Sequence, residues 1–182
     1  MNIEITSLVI TVILAFIGYL ITYWNNLRLS KRKERLDLIN KRLNEFYGPL
    51  YISSQAGKIA YKALLMKLNR ESIFEVTDTN PPPDDEVLAE WRIWLQDVFM
   101  PLNELREKLI LENAHLIREE EIPECLLQFV THVSAYKAII RKWDMGDFSE
   151  HAPLVDFPTE IEEYAYKSYQ ELKREQIKLI GK

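Results

Sequence analysis

ITSLVITVILAFIGYLITYW, residues 5–24, carries no charged side chain. As a helix rising 1.5 Å per residue it is about 30 Å long, the thickness of a bilayer's hydrocarbon core. Its flanks differ. Arg28, Lys31, Arg32, Lys33 and Arg35 follow closely, with Lys41 and Arg42 beyond, whereas Glu4 is the sole charged side chain before it. The positive-inside rule then puts the tail, residues 1–4, outside and the rest in the cytoplasm, behind one span of a cytoplasmic (inner) membrane.

Two other readings of this stretch are weaker. A cleaved signal peptide needs a basic start, a shorter apolar run and small residues at the cleavage point. Here MNIE is not basic, and the run closes on Tyr23, Trp24 and Asn25. Tyr19, Tyr23 and Trp24 instead suit an interfacial aromatic belt. A core helix apolar on every side needs a large protein around it, and 182 residues supply one domain beyond the anchor.

Charge divides the chain further. Residues 1–48 hold seven basic and four acidic side chains, and residues 49–182 hold sixteen and twenty-four. The acidic part argues against a nucleic-acid ligand, because phosphates repel it. The basic stretch Arg28, Lys31, Arg32, Lys33, Arg35 is expected to meet lipid headgroups. Cys125 is the single cysteine, so there is no disulfide framework. Few glycines, little strand-like alternation and abundant Leu, Glu, Lys, Ile and Ala predict an all-α protein.

A heptad through Leu36, Ile39, Leu43 and Phe46 extends back into the span, where it selects Thr11, Ala15, Gly18 and Thr22. Helices in lipid associate through close packing of small residues, and helices in water by burying Leu and Ile. The frame therefore predicts one helix of about 40 residues. Its self-association face holds Thr11, Ala15, Gly18, Thr22, Leu36, Ile39 and Leu43. Residues 25–48 read as a basic juxtamembrane helix or short coiled coil. Gly48-Pro49 is expected to end or sharply bend it, since proline cannot continue the hydrogen-bond ladder.

Residues 49–182 read as a cytosolic bundle of about four helices. The first, from Pro49 to Arg70, is expected to bury Ile52, Ala56, Ile59, Ala60, Ala63, Leu64 and Leu68. A polar loop closes with the stiff proline-rich run 77–85, which reads as a spacer between helices or as a mobile or partner-facing loop. The next helix starts near Asp84 or Asp85, with Val87, Trp91, Trp94, Val98, Leu102, Leu105 and Leu109 at helical spacing and a kink at Pro101. A further helix begins at Pro123, with Leu126, Phe129, Val130, Val133, Tyr136, Ile140 and Trp143 inward. The last runs from Pro158 to about Ile180, with Ile161, Ala165, Tyr169, Leu172 and Leu179 inward. No internal repeat is legible.

The chemistry-bearing residues are sparse. There is no phosphate-binding glycine loop, nucleophile elbow or paired-cysteine zinc pattern. Cys125 and His132 share a helix face but lie two turns apart, and Glu112-x-x-His115 has no second copy. Trp91, Trp94 and Trp143 fall on helical stripes and read as core. Of Tyr164, Tyr166 and Tyr169, at least one must be exposed. No catalytic, cofactor-binding or metal-binding residue is expected, and no enzyme.

The stretch LNEFYGPLY, residues 43–51, directly after a span and a basic linker, resembles a motif of small single-span bacterial proteins of unassigned function. Trp91-x-x-Trp94, Pro101-Leu-Asn103, His132-x-x-x-Tyr136 and Phe157-Pro158 are similar to pieces of the same group. The resemblance covers most of the chain and implies an architecture, not a chemistry. Together these features predict a membrane-anchored, self-associating helical protein that presents a cytosolic module to a protein partner. The alternative is a transmembrane effector of a bacterial antiphage system that disrupts the membrane on activation.

Overall fold

The computed structural model describes the backbone of residues 3–181 and the side chains of residues 7–181. Of the tail assigned to residues 1–4, Met1 and Asn2 lie outside the described residues. Six α-helices and no strand occur among the described residues: α1 (Ile3–Arg42), α2 (Gly48–Leu68), α3 (Asp85–Trp94), α4 (Met100–Glu112), α5 (Glu124–Asp144) and α6 (Glu160–Ile180). The chain divides into two units. One comprises Met1–Asn40 with Glu175–Lys182, the other Lys41–Arg174.

In the first unit, α1 is the expected 40-residue helix. From Leu8 to Trp24 its large apolar side chains are exposed on every side. Only the last turns of α6 accompany it, and they run antiparallel. The amide of Gln176 donates to Asn40 Oδ1 (2.6 Å), Arg35 Nε donates to a Glu175 carboxylate oxygen (3.0 Å), and Arg32 Nε donates to the Leu179 carbonyl (2.7 Å).

The second unit is packed. Gly48-Pro49 does not end the helix. Between α1 and α2 the backbone forms a π turn, Leu43–Tyr47, closed by the Gly48 N–H on the Leu43 carbonyl. The extra residue of a π turn spreads the carbonyls that a proline ring would otherwise strike, so Pro49 sits at the start of α2 without a break. Gly48 is needed there, because a Cβ would come 2.4 Å from the Leu43 carbonyl oxygen.

The same device joins α3 to α4, through a π turn at Leu95–Phe99 followed by Pro101. Aligned on their prolines, LNEFYGPL (43–50) and LQDVFMPL (95–102) are one octet used twice. Each begins with the five residues of its π turn and carries proline in the seventh place. The chain thus uses one short local motif twice, which hydrophobic periodicity does not display.

The π turns also explain which faces were misread. Extending the Trp91 and Trp94 stripe at 3.6 residues per turn selects Val98, Leu102, Leu105 and Leu109. The buried residues are Phe99, Asn103, Arg106 and Ile110, each one position later, and Leu105 is exposed. One inserted residue shifts every later position by one.

On α2, Leu50, Ser54, Gly57, Tyr61 and Leu64 form the inward stripe, with Ser53 beside it. Ile52 and Ile59, expected inside, are each 67 % exposed, and Ala63 is exposed with them. The small inward residues let α4 approach closely enough to seat Arg106. α2 packs on α4 and α4 on α5. The other inward stripes agree better, with Leu126, Phe129, Val133, Tyr136 and Trp143 of α5 and Ile161, Ala165 and Leu172 of α6 all buried.

Local signals set the helix ends. Asn69 adopts the left-handed conformation (φ 49°) and closes α2, with the Arg70 N–H reaching the Leu65 carbonyl (3.0 Å). Asp84 caps α3 by accepting from the Val87 N–H (2.9 Å).

The loop between α2 and α3 is tied down, as the spacer reading has it. Asn80 is buried, its amide donates to the carbonyls of Ser72 and Glu75, and Thr77 and Asn80 exchange backbone hydrogen bonds. Ile73 enters the core, and Phe74 meets Trp91 edge-on at 5.4 Å.

Candidate functional site

Four places in the molecule carry unusual chemistry, and they differ in kind. The first is the exposed apolar helix. Between Ser7 and Trp24 no side chain is covered, and nothing lies within 4 Å of the position a Gly18 Cβ would take. Thr11 and Thr22 return their hydroxyls to the carbonyls of Ser7 and Gly18 (both 2.9 Å). Their donors are thus satisfied within the helix, and the Thr11, Ala15, Gly18, Thr22 face offers close approach rather than spare hydrogen bonds.

The aqueous half of the expected interface fares differently. Ile39 and Leu43 are only 3 % and 5 % exposed and Leu36 is half-buried, so the single chain already covers them. Among the cations that follow the apolar stretch, Arg32 and Arg35 engage the end of α6, while Arg28, Lys31 and Lys33 remain exposed.

The second is a stripe on the outer side of α2. Ile52, Ala56, Ile59, Ala63 and Met66 are spaced 4, 3, 4, 3, a coiled-coil seam in miniature. Met66 is 82 % exposed. Each lies two residues after a member of the inward stripe, about 200° around the helix. α2 is therefore apolar on two opposite faces, of which the chain buries one.

The third is a buried cation. Arg106, 3 % exposed, has no ion-pair partner among the described residues. Its Nε donates to the Leu102 carbonyl (3.2 Å) and its Nη2 to Asn103 Oδ1 (2.6 Å). The guanidinium lies over the rings of Phe129 (4.8 Å) and Phe157 (5.8 Å), whose negative faces hold the charge. Gly57 stands opposite, and a Cβ there would be 3.2 Å from Nη2. Burial pushes the Arg106 pKa down to about 10, which leaves it charged at neutral pH.

His132 is pushed below its ordinary range by burial, and the neighbouring Arg106 charge adds to this. Its Nδ1–H donates to the Val155 carbonyl (2.7 Å). Sequence periodicity missed Arg106 because the inserted π-turn residue moved it from the outer face to the inner one.

The fourth is a groove of about 380 Å³ between the region around Arg92 and the end of α5, with Trp143 and Phe148 on its wall. Arg92 covers the Phe148 ring at 4.7 Å. Trp91 and Trp143 are core residues as expected, and their indole N–H groups also clamp the following loop by donating to the carbonyls of His151 (3.1 Å) and Glu150 (2.8 Å).

None of these places assembles a nucleophile with a base. Burial raises the Cys125 thiol pKa, and Cys125 and His132 belong to separate surroundings. Among the described residues no group of three or more His, Cys, Asp or Glu side chains converges. Of the three helix-six tyrosines, Tyr166 is the exposed one. Tyr164 instead joins a chain of hydrogen bonds in which the Arg118 N–H donates to Tyr47 Oη (3.1 Å), Tyr47 and Tyr164 share a bond (3.2 Å), and Tyr164 donates to Glu119 (3.1 Å). Comparison of the chain with protein-family models, with curated proteins and with solved structures finds no match.

Proposed function

We propose that this chain is a membrane-anchored, self-associating helical interaction protein. Residues 5–24 span a bilayer, the basic flank keeps the following residues in the cytoplasm, and the helical module offers the outer stripe of α2 to a protein partner. The observation that carries the proposal is that the molecule leaves two apolar surfaces bare, of different shapes. A helix apolar on every side is satisfied by lipid. A narrow 4-3-4-3 stripe with polar flanks is satisfied by one more helix. Self-association runs through Thr11, Ala15, Gly18 and Thr22, where the open space at Gly18 suits close backbone approach.

Sedimentation of the full chain with carbonate-washed membranes tests the anchor. Full retention, lost on deleting residues 5–24, is the expected result, and a full chain that stays in the supernatant overturns the proposal. Cross-linking in membranes tests the seam, since Gly18→Leu should lose the oligomer that Ile13→Leu retains. A photo-cross-linker at Ile59 should give a discrete adduct that one at the still barer Leu154 does not.

A further inference from the structure

The last turns of α6 are attached to α1 at a definite height. Arg32 holds the Leu179 carbonyl, capping the negative end of α6, and lies 3.5 Å from the position a Gly181 Cβ would take. Arg32 stands eight residues beyond Trp24, about 12 Å along the helix. The polar layer outside the hydrocarbon is roughly 5–8 Å thick on each side. The antiparallel α6 therefore points its C-terminal end back toward that layer.

What this end displays fits a lipid surface. Ile177 and Ile180, three residues apart on one face, are 44 % and 51 % exposed, and Lys178 between them is exposed. Arg28, Lys31 and Lys33 surround the same level of α1 with positive charge.

We infer that the end of α6 is a second membrane contact. Ile180, the nearer of the two, reaches the interfacial layer of an anionic bilayer, and the long Lys178 side chain pairs with its phosphates. Charge complementarity favours lipid over a soluble partner, which would have to compete with headgroups for this space. The inference rests on the reading of residues 5–24 as the span.

The test uses the full chain in phosphatidylcholine vesicles with and without phosphatidylglycerol. An environment-sensitive fluorophore is placed in turn at Leu14, Ile180 and Leu154 in a Cys125→Ser background, and quenched by lipids spin-labelled either high on the acyl chain, the depth that reports Ile180, or near its end, the depth that reports Leu14. Leu14 reports the span, and Leu154, fully exposed in the other unit, is the aqueous control. The label at Ile180 is expected to lose most of its fluorescence, more so with phosphatidylglycerol, and Lys178→Glu should remove that lipid dependence. Quenching at Leu14 with Ile180 no more quenched than Leu154 overturns the second contact alone. Absence of quenching at Leu14 overturns the span, and the second contact with it.

Discussion

The octets Leu43–Leu50 and Leu95–Leu102 use one device in two surroundings. Each places proline one residue behind a π turn, and each keeps its helix running where a proline would otherwise break it. They differ in what stands just before the proline and in what the aromatic fifth residue touches. In the first octet Gly48 lies against its own backbone, and Tyr47 spends its hydroxyl on Arg118 and Tyr164. In the second Met100 is buried, and Phe99 lies among the rings of Trp91, Trp94 and Tyr61. The backbone solution is therefore local to the octet, while its stability depends on the neighbours. Eleven residues after each leading leucine the contrast recurs as Ser54 in one case and Arg106 in the other.

The largest break in the comparison is expected at that last pair. Arg106→Ala empties a packed site and strips Asn103 of its donor, so unfolding should become easier by about 3 kcal/mol. Arg106→Met keeps the volume and removes a buried charge that has no ion-pair partner among the described residues and only the more distant Glu162 carboxylate to favour it. It should fall within about 1 kcal/mol of wild type, or stabilise. Denaturant titration of the two variants checks this, and equal large losses would mean that the charge itself is needed.

Next in size is the residue before each proline. Gly48→Ala forces a methyl onto the Leu43 carbonyl and should cost about 2–3 kcal/mol. Met100→Leu, a swap of similar volume at the matching position, should cost less than about 1.5 kcal/mol. Comparable thermal midpoints for the two variants would show that the first turn is no tighter than the second. A smaller effect is expected from the aromatic pair. Tyr47→Phe leaves the Arg118 N–H without its acceptor, at about 1–2 kcal/mol. Phe99→Tyr puts a hydroxyl among rings, so the double exchange should not restore stability.

How much of this was open to a reader of the sequence follows from the same device. The long apolar helix, its basic flank, the starts of α3 and α5 and most inward residues of α5 and α6 are set by composition, caps and 3.6-residue spacing, all visible in the chain. Gly48-Pro49 was misleading because the π turn that rescues it leaves no mark on hydropathy. One inserted residue then moved the inner face of α4 from Leu102 and Leu105 to Asn103 and Arg106. On α2 the outer Ile52 and Ile59 outrank Ser54 and Gly57 in hydrophobicity, so the face left exposed looked like the face of the core. Small residues opposite an arginine carry a packing signal that only the third dimension displays.

The smallest effect tests whether Arg106 is felt by its surroundings. His132 is neutral in the folded protein, held low first by burial and then by Arg106, with the Val155 carbonyl and Asp156 acting the other way. Its folded pKa thus lies below the ordinary value of about 6.5 that it regains on unfolding. Below that pH the unfolded chain takes up the proton first, so stability rises with pH. The stabilisation is fully present above about pH 6.5 and is lost as pH falls toward the folded pKa. Thermal midpoints measured between neutral and mildly acidic pH should therefore decline, and the decline should shrink in His132→Gln. The partly buried His151, also shifted down, contributes to the residual slope. Arg106→Met should shrink the decline as well, because removing the cation lets the His132 pKa rise toward its unfolded value. A His132 ring titration, followed by nuclear magnetic resonance, that is identical in wild type and Arg106→Met would show that Phe129 and Phe157 screen the charge completely. The second octet's arginine would then be a packing element, comparable in kind to Ser54 in the first.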